Sequence, residues 1–135
     1  MTAFAGERGS ATVVMLGLAA VVVVLGLLVA DAAVYLRGRM LAATAADAAA
    51  LAAAPVTFHG FGTTATPQAE AGRFATANGA VLDRCRCPVD RSWRTRTVDV
   101  TVTVATSLVL FGDRPVAATS SAEFAPIRIA GPPAG

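Results

Sequence analysis

Cys85 and Cys87 stand one residue apart, and with His59 they are the residues of this 135-residue chain best suited to thiol or metal chemistry. A structural zinc takes four ligands, and two cysteines plus one histidine fall short of that. A Ser-His-Asp or Cys-His arrangement would rest wholly on His59, which lies between Phe58 and Gly60 in a Gly/Thr-rich loop with no partner base nearby. His59 therefore reads as a loop histidine without a chemical role. The expectation is a non-enzyme: no catalytic residue, no metal, no cofactor and no small-molecule substrate.

The Cys85-Arg86-Cys87 motif leaves three states open: an internal disulfide, bonds to another chain, or free thiols. In an extended strand the two cysteines share a face with Cα atoms about 6.6 Å apart, near the upper edge of disulfide geometry. Pro88 supplies a bend that would bring them closer. Around Trp93 lie Arg84, Arg86, Arg91, Arg94 and Arg96, with Asp83 and Asp90 among them. This cluster reads as a solvated loop whose charges pair locally; contact with anionic headgroups or an acidic partner is the alternative. All 11 basic residues are arginine, and the formal charge is only +2, so nothing points to nucleic acid.

These residues must be held by a chain that is 55% hydrophobic, 15% charged and has a mean hydropathy of +0.61. No charge occurs from residue 9 to residue 30, and such a run would span about 33 Å as a helix, the thickness of a bilayer's hydrocarbon core. Residues 10–30 are thus read as a transmembrane helix, preceded by a short cytoplasmic leader at 1–9. Three fates compete for it: a retained signal-anchor, signal-peptidase cleavage between Ala32 and Ala33, or prepilin-type cleavage between Gly9 and Ser10 or after Gly6. The apolar run exceeds a secretory h-region and no helix breaker follows it, which favours the anchor. Arg8 precedes the span while Arg37 and Arg39 follow it, a count that favours the opposite orientation. The brevity of the leader and the β-rich character of the rest favour a single-pass plasma-membrane protein with its carboxyl-terminal domain extracytoplasmic.

Residues 31–54 are alanine-rich and extend the helix outward until Pro55 ends it. Thr66-Pro67 starts a second helix, with Ala69, Phe74 and Ala77 on its apolar face, Glu70 paired to Arg73, and Asn78-Gly79 as a left-handed cap. Residues 97–110 alternate Val98, Val100, Val102 and Val104 against polar positions, the mark of a strand with one buried face. Gly112-Asp113-Arg114-Pro115 then reads as a turn, and 116–124 as the returning strand; residues 80–87 supply a shorter third. The fold class is α+β: a long transmembrane helix continuing outward, a short second helix, and a small antiparallel sheet of two to three strands. The extracytoplasmic domain is placed at 55–127 and a disordered tail at 128–135, with the outer half of the long helix against the sheet.

Arg8-Gly9-Ser10-Ala11 before the Val/Leu/Ala span resembles the TadE/TadG-like proteins of the Flp (tight-adherence) pilus systems, in their short actinobacterial branch. Residues 45–54 (AADAAALAAA) resemble that branch's "AAD-x-AALAAA" signature, and 75–82 (ATANGAVL), with Cys85 and the Val-Thr strand, resemble its "A-x-A-N-G-A-x-L…C…V-x-V-x-V" pattern. Processed members carry a glutamate five residues past the cleavage glycine; here that position is Val14 counted from Gly9, or Ala11 counted from Gly6. Members also often carry a cysteine at the start of the second helix that can pair with the one matched by Cys85. Pro67-Gln68-Ala69 has none, and the resemblance then implies Cys87 as a substitute partner, one of the three states open to the pair. The resemblance implies a membrane-anchored pilus-assembly or minor-pilin-like protein. Its partners would be the bilayer and other pilin-like or Tad assembly proteins, met through the amino-terminal helix.

Overall fold

The computed structural model describes residues 8–58 and 65–126, with side chains from residue 11 onward. His59, the tail at 128–135 and most of the leader lie outside them. The chain runs α1 (Arg8–Val56), α2 (Pro67–Ala77), β1 (Val81–Arg86), β2 (Arg96–Leu108) and β3 (Gly112–Phe124). The fold is α+β, with a long apolar helix, a short second helix and a three-stranded antiparallel sheet in the order β1-β2-β3.

Alanine dominates the second half of α1 and keeps it helical across the junction, so its 49 residues form one rod about 73 Å long. The helix ends one residue beyond Pro55 rather than before it. A proline in the last turn removes a single donor, and the Thr57 hydroxyl closes the end on the Ala54 carbonyl at 2.6 Å.

The alternation in β2 buries Val98, Val100 and Val102 completely and Val104 nearly so. In register with them, Val116, Ala122 and Phe124 of β3 complete one apolar sheet face. Against this face lies a stripe of α1: Ala42, Ala45, Ala46, Ala49, Ala50, Ala53 and Ala54, recurring at three- and four-residue steps and all buried. Because the stripe has only methyl groups, helix and sheet approach closely. The other sheet face is polar, held by Thr101–Thr119 at 2.9 Å, Ser121 donating to Asp99 at 2.6 Å, and Thr103 donating to Asp83.

Helix α2 begins as its residues dictate, with the Thr66 hydroxyl accepting from the Ala69 amide at 3.2 Å and Gly79 at φ +73° after the Asn78 cap. Its buried face differs from the expected one. Ala71 and Ala75 face inward with Pro67, Phe74 is half-buried, and Ala69 and Ala77 are exposed. Packing against the alanine stripe of α1 selects small side chains for the contact and moves the large Phe74 to its edge.

The β2–β3 turn also lies earlier than expected. Residues 109–111 form it, Gly112 follows at φ +68°, and the Asp113-Arg114-Pro115 stretch is already inside β3, with Asp113 opposite Ser107. Proline is tolerated there because β3 is an edge strand.

Candidate functional site along the long helix

Helix α1 lives in two environments. From residue 11 to residue 30 every side chain is exposed except the half-buried Leu27, and the exposed ones include Val13, Met15, Leu18, Val22 and Leu25. This stretch is long and apolar enough to cross a membrane. From Gly38 onward the same helix carries the domain. The transition falls at Asp31.

Asp31 is the first charge after the apolar run, and it is only 3% exposed. Its two carboxylate oxygens accept the backbone amides of Val109 at 2.7 Å and Leu110 at 2.8 Å, tying the β2–β3 turn to the helix. Each side solves the other's problem, since the turn amides have no ladder partner and a buried carboxylate needs donors. Two turns on, Gly38 meets Thr106. A Cβ at Gly38 would collide with the Thr106 hydroxyl, so any larger residue there requires the Thr106 side chain or β2 to shift. The Thr106 Oγ1 is buried with no hydrogen-bond partner among the described residues.

At the far end of α1, Arg96 is 8% exposed and gathers the loop between β1 and β2. Its guanidinium donates to the carbonyls of Thr57 at 3.1 Å and Arg94 at 3.2 Å, and to those of Asp90 and Ser92. A cation at this position also complements the carboxyl end of the helix dipole. The Phe58 and Trp93 rings meet in a tilted contact, centroids 5.0 Å apart and planes inclined by 56°, with Arg96 lying 5.7 Å from the Phe58 ring. The Asp90 carboxylate accepts the Ser92 hydroxyl at 2.6 Å and the Ser92 amide at 2.8 Å, which hold its carboxyl below the ordinary range. On α2, the hydrogen bond from Arg73 does the same for Glu70.

The arginine cluster is therefore not one unit. Arg84, Arg86, Arg91 and Arg94 are exposed, Arg96 is a buried organiser, and the ion pair found among the described residues is Arg73–Glu70 instead. The loop is solvated as expected, and Arg94 and Arg96 act electrostatically on Asp90 without forming a close ion pair with it. Period-two alternation carried back from Val98 puts Arg96 on the buried face, which is the signal that could have singled it out.

The other candidate residues fall in separate places. Cys85 and Cys87 pack at the edge of the core with Cα atoms 5.4 Å apart, and their sulfurs lie within bonding reach. Gly9 and Ser10 are in the first turns of α1, and Ala32 and Ala33 are exposed on its uninterrupted middle. Nothing gathers these residues into a catalytic constellation, and among the described residues no group of His, Cys, Asp and Glu could hold a metal.

The part of the chain with a recognisable likeness is the two-environment helix. Residues 9–55 match the family model of TadE/G-like Flp pilus-assembly proteins. That stretch coincides with α1 almost end to end, so the likeness lies in the long helix and the sheet lies beyond it. No curated protein and no solved structure matches the chain.

Proposed function

We propose that this chain is a membrane-anchored component of a Flp/Tad-type pilus assembly or secretion system, held by residues 10–30 with its carboxyl-terminal domain outside the cytoplasm. It works by packing rather than by chemistry. Within the bilayer the exposed half of α1 meets lipid and the helices of other pilin-like or assembly proteins, and small residues such as Gly17 and Gly26 permit close approach there. Outside, the α2–sheet unit presents a folded surface fixed rigidly to that helix. One observation carries the reading: a single helix matching the TadE/G-like model is bare and apolar over residues 11–30 and buried by its own domain beyond.

Retention of the segment is part of the proposal. A cut between Ala32 and Ala33 would separate Asp31 from the turn it holds. In an oxidising compartment, Cys85 and Cys87 form an intrachain disulfide that fixes the end of β1.

The test is deletion of the chain from its host, with sheared surface pili counted, together with a photo-crosslinking residue at Leu18. The proposal predicts loss of pili and crosslinks to other Tad components. Normal piliation with no crosslinked protein would overturn it.

A further inference from the structure

We propose that the β2–β3 turn is a second membrane-contacting element, its apolar side chains resting in the boundary between acyl chains and headgroups where α1 leaves the bilayer. The proposal rests on α1 being a membrane span. A hairpin end facing water is normally built of Gly, Asn, Asp or Ser. Here it is Val109, Leu110 and Phe111, which are 73%, 42% and 55% exposed. Three consecutive exposed apolar residues at a turn need an apolar neighbour.

Asp31 sets the depth of that neighbour. It immediately follows the uncharged run and binds the Val109 and Leu110 amides, so the turn is level with the end of the span. An open cleft between turn and helix, lined by Leu28, Ala32, Tyr35, Leu108 and Phe111 with the almost fully buried Asp31 at its floor, continues the apolar surface of the span. The backbone chemistry also fits this depth. Amides entering a lipid boundary must be satisfied internally, and the Asp31 carboxylate satisfies two of them while itself being shielded from lipid. Tyr35, Arg37 and Arg39 follow on α1, residue types that anchor a helix at the headgroup level. The occupant is therefore the bilayer itself, met by two elements of one chain.

Tryptophan quenching tests this on the full chain in phosphatidylcholine–phosphatidylglycerol vesicles containing brominated phosphatidylcholine. Leu110→Trp is placed in a Trp93→Phe background, and Val24→Trp in the same background reports the span. The proposal predicts blue-shifted Leu110→Trp emission, quenched more by bromines near the headgroup than by bromines deep in the chain, with Val24→Trp showing the reverse order. If Val24→Trp is quenched and Leu110→Trp is not, the turn proposal falls while the span stands. Blue-shifted but unquenched Leu110→Trp emission means a protein surface covers the turn, which also overturns it. If neither is quenched, the span reading fails and takes this proposal with it.

Discussion

Asp31 and Arg96 sit at opposite ends of the domain-bearing half of α1, and each directs its charge at backbone groups. Asp31 takes two turn amides, and Arg96 gives to the carbonyls of four residues. Removing either leaves buried polar groups without partners, which costs more than the bonds themselves stabilise. Arg96→Met is expected to lose about 2–4 kcal/mol, measured as a lower thermal midpoint of the full chain in detergent. Asp31→Ala should accelerate hydrogen exchange at Val109 and Leu110 while leaving the Val98–Val102 amides protected; equal acceleration at both sites would count against a local tie. At Asp90 the sign of the pH dependence follows from a carboxyl held below its unfolded value of about 4. The unfolded chain binds the proton more readily, so this stabilisation is full above about pH 4 and disappears as pH falls through the lower folded value. Asp90→Asn should flatten the fall of the thermal midpoint on acidification, with a residue of it left from Glu70, which is shifted in the same direction. Neither Asp31 nor Arg96 stands out by type in the sequence. One is a lone acid in a small-residue triplet and the other is one arginine of five, and their importance comes from backbone groups supplied by distant segments.

Among the elements, α1 and β2 are matched in length. From Asp31 to Thr57 the helix advances about 39 Å, and the 13 residues of β2 cover about 40 Å. One strand therefore reaches from the Arg96 end to the Asp31 end, and everything between depends on how closely the two layers approach. Gly38→Val should force them apart at Thr106, and Ala49→Leu should do so at the centre of the stripe, each costing about 1–3 kcal/mol. Val100→Ala, which leaves a void instead, is expected to cost about 2–3 kcal/mol. Denaturant titration of the full chain in detergent checks all three; unchanged midpoints would mean that the layers are not closely packed. The valine alternation made β2 and its buried face legible from the sequence, and Thr66-Pro67 and Asn78-Gly79 did the same for the bounds of α2. The inward face of α2 and the position of the turn were not legible. Hydrophobicity ranks Phe74 above Ala71 and Ala75, whereas close helix–helix contact ranks them by size. Gly112-Asp113-Arg114-Pro115 has turn chemistry, yet the carboxylate that satisfies the actual turn belongs to a helix far away in sequence.

For the whole molecule, an uncharged run followed by alanine-rich helix makes the two-part rod legible in the sequence, and the TadE/G-like match falls on that same rod. The fate of the amino-terminal segment is not legible in the sequence, because small-residue triplets are common in so alanine-rich a chain. The structure adds a mechanical reason to retain it, since Asp31 belongs to the span side of any cut at Ala32-Ala33 and to the domain's own hydrogen bonding. The central claim is that one uncut helix is both anchor and scaffold. Intact-mass analysis of the protein from the membrane, sheared-surface and medium fractions of its host tests it most directly. A mass that includes residues 10–32 is expected, found in the membrane fraction alone or together with sheared pili. A chain beginning at Ala33 and recovered from the medium would contradict it.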